Sequence, residues 1–345
     1  RNVLMQQYQL VARWLQGQIP GKILPWQIDL DTTNICNQAC YYCNTEQFRE
    51  EKPVYQERDK YIDLIDKLAG WRAYDPNVIG TTSNVIFSGG GEPTLLPGYE
   101  SVIERAIDAG FVAAMNTNGT KLHKLLTVDP DKLKRMAYIG LDIDSGNPET
   151  YEQIRRSKMK DSPFGRVKET AKELGQMGAP LDIKALLMPE NTSPEEIDSL
   201  FAYARDVNAR AVHLRPMVLD GKSFELTDDI RLSIADASNK YRVRADLALG
   251  RYETREYSRC HQFFLFPSFC ADGNIYLCCE YKGREDIKLG SWVDGDWRDL
   301  WCGERHKEIY EHFRTAFCKP CRPNTTNNRI QQAILNPKSV LDGFI

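Results

Sequence analysis

The sequence predicts an α/β protein: a partial (β/α)6 TIM-like barrel, followed by a small module built from a hairpin and helices. Short β-rich runs alternate with longer segments of helical periodicity up to about residue 242, which is typical of parallel βα units. Beyond that point, two aromatic and β-branched runs flank Asp272-Gly273, a strong hairpin signal. Seven of the ten cysteines follow residue 259, which indicates a metal-dependent second module.

These observations divide the chain into an N-terminal extension (1–25), the barrel (26–242), the second module (243–325) and a C-terminal tail (326–345). The six predicted strands cover residues 26–33, 84–90, 112–119, 137–144, 181–189 and 211–218. Helical patterns lie between them at 61–71, 98–110 and 193–207, and Ser193 with Glu196 predicts a capping box on the last. The loops after the strands carry the chemistry of such barrels.

The composition is that of an ordinary globular protein, with 42% hydrophobic and 27% charged residues. No apolar run approaches the roughly 20 residues of a membrane span. The net charge of −3 argues against bulk nucleic-acid binding, so we expect neither a nucleic-acid nor a membrane partner. The first residues lack the features of a signal peptide, so we expect a cytoplasmic protein whose thiols stay reduced.

Three cysteines stand in one loop directly after the first predicted strand. Cys36, Cys40 and Cys43 form a CxxxCxxC pattern with Tyr42 inside it. A closed structural zinc site needs four ligands, whereas three thiolates leave one iron of a [4Fe–4S] cluster open for a substrate or cofactor. A zinc-binding scaffold without catalytic activity is the alternative from another class of function.

This loop resembles the signature of the radical S-adenosylmethionine (radical SAM) enzymes, and the resemblance extends over roughly residues 26–322. It implies that Cys36, Cys40 and Cys43 hold a [4Fe–4S] cluster and that Tyr42 lies at the cofactor. In that family the open iron chelates the amino and carboxylate groups of S-adenosylmethionine. Reductive cleavage then gives a 5'-deoxyadenosyl radical, which abstracts hydrogen from a C–H bond.

Two further loops carry motifs of the same family. Gly90, Gly91 and Glu92 begin a sequence similar to its GGEP motif, which implies contact with the methionine amino group. Asn118 lies in a segment, "NTNGT", that resembles a TNG after the third strand and is expected to shape the cofactor pocket.

The fourth predicted strand leads into "DIDSGNPETYEQIRR", which is similar to another family segment. The resemblance implies that Asp144 lies in the cofactor site and that Arg155 contacts the methionine carboxylate, a task suited to a planar fork of donors. Asp142 stands where the family usually has a serine. It faces the substrate in one interpretation and bonds nearby backbone in the other.

His213 and Arg215 should share one face of the sixth strand, because strand side chains alternate. If that face points inward they contact cofactor or substrate, and if outward they are ordinary pairing residues. We include Arg215 among the candidate catalytic residues.

The C-terminal cysteines include a second set of four candidate ligands, namely Cys260, Cys278, Cys318 and Cys321. Four thiolates suit zinc as well as iron and sulfur. The segment resembles the twitch module, a shortened SPASM extension, which implies one auxiliary [4Fe–4S] cluster and therefore two clusters in all. The remaining cysteines, expected to be small buried residues, are Cys270, Cys279 and Cys302.

Glu280 and Tyr281 follow the hairpin and are candidate acid–base or radical-handling groups, with surface placement as the alternative. Twitch-bearing relatives include aminocyclitol enzymes, and fewer than 30 residues precede the first strand here, too few for a leader-peptide domain. We therefore expect a sugar, aminocyclitol or nucleotide-sugar as substrate of an oxidation, epimerisation or rearrangement in natural-product biosynthesis. A peptide maturase is the alternative, and a flavodoxin or ferredoxin is the expected electron donor.

Overall fold

The largest element of the fold is a ten-stranded sheet. The structure is a computed structural model that describes residues 2–219 and 221–336. In chain order the strands are Lys22–Ile23 (β1), Gln27–Asp31 (β2), Val78–Ile79 (β3), Asn84–Ser88 (β4), Val112–Thr117 (β5), Tyr138–Asp142 (β6), Leu181–Leu187 (β7), Ala211–Pro216 (β8), Val218–Leu219 (β9), Lys222–Ser223 (β10), Arg244–Leu247 (β11), Ser268–Phe269 (β12), Asn274–Tyr276 (β13) and Lys288–Ser291 (β14).

Helices cover the sheet and connect its parallel strands. They are Asn2–Leu15 (α1), Glu46–Glu51 (α2), Arg58–Ala69 (α3), Trp71–Tyr74 (α4), Tyr99–Asp108 (α5), Pro130–Lys134 (α6), Pro148–Arg155 (α7), Phe164–Gln176 (α8), Pro194–Asp206 (α9), Asp228–Tyr241 (α10), Glu304–His312 (α11) and Asn324–Leu335 (α12). Among the described residues, no helix is long and apolar enough to cross a membrane.

The strand order in the large sheet is β11-β8-β7-β6-β5-β4-β2-β12-β13-β14. All pairs from β11 to β12 are parallel, and the last two pairs are antiparallel. Each of the six predicted strands is present, as β2, β4, β5, β6, β7 and β8. The predicted α/β fold with a partial parallel barrel is therefore confirmed.

The two edges of this barrel differ from the sequence prediction. Arg244–Leu247 adds a seventh parallel strand beside β8, beyond the boundary predicted at residue 242. At the other edge β12 pairs in parallel with β2, aligning Ser268 with Asp29. Both additions satisfy backbone groups that an open sheet would leave unpaired. The C-terminal hairpin thus extends the barrel sheet and stands beside the strand that leads into the first cysteine loop.

Buried aromatic residues fix the C-terminal helices and loops to the barrel. Trp71 lies at the centre, with ring centroids 4.7 Å from Trp297 and 6.1 Å from Trp301 in edge-to-face contact. The indole nitrogen of Trp301 donates to the carbonyl of Ile23, 2.7 Å away, so its buried N–H is satisfied. The capping box predicted at Ser193 is half formed, because its hydroxyl accepts the N–H of Glu196.

Candidate active site

The loops at the C-terminal ends of the parallel strands surround a cavity of about 780 Å³. This volume lies within the range of cofactor and substrate sites, roughly 300–1,000 Å³. The predicted site residues that line it are Cys36, Cys40, Tyr42, Cys43, Gly90, Gly91, Glu92, Asn118, Asp142, Asp144, Arg155, Arg215 and Glu280. The structure therefore brings the first cysteine loop and most candidate side chains to one place.

Each thiol of the first cysteine loop has a nitrogen donor directed at its sulfur. Cys36 is 4.0 Å from the amide nitrogen of Asn118. Cys40 is 4.0 Å from Nη1 of Arg155, and Cys43 is 3.4 Å from Nη2 of Arg49. Burial raises the pKa of the Cys36 thiol to about 11, whereas donors of this kind favour the ionised form. The surroundings suit thiolates that serve as ligands.

The thiols of Cys36, Cys40 and Cys43 line one cavity without converging on a single point. Within residues 2–219 and 221–336, no three His, Cys, Asp or Glu side chains converge closely enough to hold one metal ion. A zinc site brings its ligand atoms to about 2.0–2.3 Å from one centre. A [4Fe–4S] cluster takes its thiolates on different irons, so its ligands need not converge on one centre.

The glycines after β4 let that loop lie directly against the cysteine loop. A Cβ atom on Gly91 would stand 2.1 Å from the carbonyl oxygen of Ile35. One on Gly90 would stand 2.5 Å from Oδ1 of Asn34. The N–H of Gly91 donates to the carbonyl of Thr33 over 2.8 Å, which joins the two backbones. Only glycine permits this approach.

Glu92 is buried, and both of its carboxylate oxygens are held. Oε1 accepts from the N–H and hydroxyl of Thr94 and from the hydroxyl of Thr117. Oε2 accepts the N–H of Asn118 over 2.7 Å. Burial raises the pKa of Glu92 despite these donors. Glu92 thereby connects the ends of β4 and β5 and positions the asparagine that touches the Cys36 sulfur.

Asp144 organises the opposite wall of the cavity. One carboxylate oxygen accepts the Tyr42 hydroxyl at 2.5 Å and pairs with Nη2 of Arg155 at 2.8 Å. The other accepts the N–H of Leu186 at 2.8 Å. Its backbone φ of 64° is uncommon for a residue other than glycine, but aspartate tolerates it. The resulting arrangement holds a buried guanidinium beside Cys40.

Arg155 retains unused capacity for hydrogen bonding. Its side chain is only 7% exposed, and Nε has no hydrogen-bond partner among the described residues. An unsatisfied buried donor on a cation is costly unless a bound group accepts from it. This fits the predicted contact with a carboxylate of the cofactor.

Three neighbouring strands bring further charged side chains into the cavity. Asp142, Lys184 and His213 are register partners across β6, β7 and β8, and all three line the cavity with Arg215. His213 and Arg215 therefore point inward. The His213 ring lies between two carboxylates, 3.3 Å from each.

Lys184 belongs to this site, but the sequence prediction omitted it. Nζ donates to the side-chain oxygen of Asn116 and lies 4.1 Å from the ring centroid of Tyr138. Burial lowers the pKa of Lys184 to about 8. The charged groups that act on it are Asp142, Asp182, Arg215 and Arg322. The alternation of Asp182 and Lys184 with apolar residues in the β7 sequence "LDIKALL" was the signal that could have identified it.

The C-terminal module closes the cavity. Glu280 lines it as predicted, with Oε2 accepting from Asn44 at 3.0 Å and Oε1 at 3.9 Å from Arg251. Tyr281 does not line the cavity, contrary to its prediction as a catalytic candidate. Its hydroxyl accepts the N–H of Lys319 at 3.1 Å, so the ring packs against the CxxC segment instead.

The four C-terminal candidate ligands lie near one another, outside the cavity lining. After burial, the charges of Cys321 and Cys318 contribute to raising the pKa of Cys260. Cys260 in turn contributes to raising the pKa of Cys278. Of the remaining cysteines, Cys270 and Cys302 are buried, as predicted, and Cys279 is half-buried.

Comparisons with known proteins agree with this geometry. The model of the "Radical SAM superfamily" matches residues 30–230. An S-adenosylmethionine-dependent nucleotide dehydratase from Selenomonas ruminantium is 27% identical over 129 residues, which are 37% of this chain and 42% of the relative. A GTP 3',8-cyclase from Streptomyces coelicolor is 28% identical over 199 residues, 55% of this chain and 52% of the relative. The chain thus spans about half the length of the curated relatives it matches.

A solved structure shares the fold over most of the chain. Streptococcus suis SuiB bound to its precursor peptide SuiA superposes with a TM-score of 0.63, covering 88% of this chain and 70% of SuiB. The identity is 15%, so this likeness concerns the fold alone.

Proposed function

The chain belongs to the radical SAM superfamily, and from that premise we propose that it abstracts hydrogen from a small polar substrate to oxidise, epimerise or rearrange it. Membership confirms the resemblance predicted from the first cysteine loop, and it implies S-adenosylmethionine and one [4Fe–4S] cluster as cofactors. When bound, they supply the 5'-deoxyadenosyl radical. The observation that carries the proposal is that the cysteine loop shares one cavity with charged side chains from β6 to β8.

The protein's own residues divide the cavity into two halves. Cys36, Cys40 and Cys43 would hold the cluster on the β2 side. Arg155, fixed by Asp144, has an unpartnered Nε that would donate to a carboxylate of the cofactor. These groups bind and orient, and they leave the β6–β8 side for the substrate.

On the substrate side, Asp142 and Lys184 are suited to proton transfer. Burial raises the pKa of Asp142 and lowers that of Lys184 to about 8, so both pKa values move toward neutral pH. A general base is most effective when its pKa lies near the working pH. For an alcohol substrate, we assign to Asp142 the acceptance of the hydroxyl proton, with Lys184 beside it in the register. Glu280 and Arg215 also line the cavity and are further candidate substrate contacts.

The substrate class rests on the relatives as well as on the cavity. Two of the curated relatives are named for chemistry on nucleotides, which supports a sugar or nucleotide-sugar, whereas two others are named as maturation proteins, which supports a peptide. A precursor peptide is the second candidate, because SuiB shares the fold and binds one. The auxiliary cluster on the four C-terminal cysteines and a flavodoxin or ferredoxin as electron donor are part of the same proposal.

The test is anaerobic incubation of the reconstituted protein with S-adenosylmethionine and dithionite, with 5'-deoxyadenosine measured by mass spectrometry. The native protein should form 5'-deoxyadenosine, and Cys40→Ala should not. Candidate nucleotide-sugars, polyols and peptides carrying deuterium at carbon are then supplied. Transfer of deuterium from a labelled sugar to 5'-deoxyadenosine would support the proposal. Transfer from labelled peptides alone would contradict it and would support a peptide as the substrate.

Metal analysis separates the enzyme from a zinc scaffold. Two four-iron clusters require about eight irons and eight sulfides per chain and give a brown protein. A colourless protein with two zinc ions would contradict the enzyme assignment. A protein with about four irons per chain would contradict only the proposal of an auxiliary cluster.

A further inference from the structure

The wall of the cavity carries more positive than negative side chains. The cations that line it are Arg49, Arg155, Lys184, Arg215, Arg251, Lys319 and Arg322. The carboxylates that line it are Glu92, Asp142, Asp144, Asp182 and Glu280. Such an excess in a partly enclosed site attracts anions, because low-dielectric walls concentrate the field.

The excess is confined to one half of the cavity. On the cysteine side the charges are matched, since Arg155 pairs with Asp144 at 2.8 Å and Arg49 reaches the Cys43 sulfur at 3.4 Å. Glu92 is satisfied by hydroxyl and backbone donors. The other half, formed by β7, β8 and the C-terminal module, holds the remaining cations, of which Arg322 is paired with Asp29 at 2.6 Å.

Arg215 is the arginine of that half that has no ion-pair partner among the described residues. No carboxylate oxygen among the described residues lies within ion-pair distance of its guanidinium or of Lys184 Nζ, whose partners are an amide oxygen and a tyrosine ring. Arg251 reaches Glu280 only at 3.9 Å. Besides desolvation of the guanidinium, the charge of Arg251 is the strongest influence that lowers the pKa of Arg215, and the charges of Asp142 and Glu280 raise it. The two guanidiniums therefore repel each other, with these two carboxylates beyond ion-pair distance of Arg215.

We propose that Arg215 and Arg251, with Lys184 beside them, bind a phosphate or diphosphate group of the substrate. Guanidinium forks match tetrahedral oxyanions and bond them in pairs. A phosphate dianion also offsets the repulsion between the two arginines. A single carboxylate carries half that negative charge and offsets the repulsion less. This inference rests on the proposed function, since it concerns the small substrate proposed there. It places the phosphate of that substrate in the half of the cavity away from the first cysteine loop. It selects phosphorylated sugars and nucleotides over free polyols.

The test measures binding to the reconstituted holoprotein under anaerobic conditions with saturating S-adenosylmethionine. The probes are ADP, adenosine and malonate, titrated by calorimetry. ADP should bind at least about tenfold more tightly than adenosine or malonate, because the charge-assisted hydrogen bonds to the phosphate oxygens are absent with either of these probes. Equal affinity for ADP and adenosine, or tighter binding of malonate, would overturn the proposal.

Variants assign the effect to the two arginines. Arg215→Gln should weaken ADP by about tenfold to a hundredfold, and Arg215→Lys should weaken it less. Arg305→Gln removes an exposed arginine of α11 that pairs with Glu308, and it should leave ADP binding unchanged. Iron content and the cluster absorption spectrum report whether each variant is folded. If Arg215→Gln loses iron, Arg251→Gln takes its place.

ADP affinity that is unchanged in a folded Arg215→Gln or Arg251→Gln protein would refute the assignment. The outcome is independent of the proposed reaction, because ADP binding needs no cleavage of S-adenosylmethionine. A protein that binds ADP through Arg215 but forms no 5'-deoxyadenosine would retain this inference and lose the proposed function.

Discussion

Replacing Lys282 by methionine should destabilise the protein by about 3–5 kcal/mol, the usual cost of removing one partner from a buried ion pair. Lys282 Nζ lies 2.6 Å from Oδ2 of Asp31, and the two side chains are 5% and 0% exposed. Asp31 ends β2, and Lys282 follows the hairpin of the C-terminal module. The pair therefore joins the strand before the first cysteine loop to the second module.

The magnitude follows from what would remain around the carboxylate. Oδ1 of Asp31 has no hydrogen-bond partner among the described residues, and the other contact of Oδ2 is the Cys270 thiol at 3.4 Å. Without the lysine, the carboxylate would be buried with one weak donor. Typical proteins are stable by only about 5–15 kcal/mol, so the loss would be a large fraction of the total.

The pH dependence gives a second signature. Burial raises the pKa of Asp31 in the native protein even with the lysine present, and removing the lysine should raise it further. A carboxyl whose pKa is higher folded than unfolded loses stability as pH rises above its unfolded value, about 3.9. The difference between native and Lys282→Met proteins should therefore be larger at pH 8 than at pH 5.

Urea unfolding followed by tryptophan fluorescence under anaerobic conditions measures this difference. The control is Lys134→Met, which removes an exposed lysine paired with Asp131 and should leave the midpoint unchanged. The double variant Asp31→Asn/Lys282→Met should recover most of the lost stability, because no unpaired charge remains. The reasoning is refuted if Lys282→Met unfolds at the same urea concentration as Lys134→Met, or if the double variant recovers nothing.

Four further predictions concern the site. Gly91→Ala should lower iron content after reconstitution, because its Cβ would lie 2.1 Å from a backbone oxygen of the cysteine loop. Glu92→Gln should weaken S-adenosylmethionine by about tenfold in equilibrium dialysis, because an amide cannot accept all the donors that hold the carboxylate. ADP affinity should fall as pH rises through about 8, where Lys184 loses its charge while the phosphates are already ionised. Cys321→Ser should lose about four irons per chain by elemental analysis, whereas Cys302→Ser, which alters a buried cysteine outside the candidate ligand set, should lose none.

Local sequence patterns were sufficient to predict the barrel strands and most of the predicted residues that line the cavity. Strand alternation and turn residues are local, and the cysteine loop, Glu92 and Arg155 carry motifs that stand at strand ends. The seventh parallel strand was missed because Arg244–Leu247 is short and charged, and its place depends on pairing with β8. The position of Tyr281 depended on packing against the CxxC segment, which no local pattern specifies.

The substrate side could not be predicted from motifs because no single segment builds it. Lys184 and Arg215 come from adjacent strands, whereas Arg251 and Glu280 come from loops of the C-terminal module. The cofactor side neutralises its own charges through pairs such as Arg155 with Asp144, so it is complete before any substrate arrives. On the other side Arg322 is paired with Asp29 at 2.6 Å, Arg251 reaches Glu280 only at 3.9 Å, and Arg215 has no ion-pair partner among the described residues. Substitution of Arg215 or Arg251 should therefore alter which substrate is bound, while the Arg155–Asp144 pair keeps its structure.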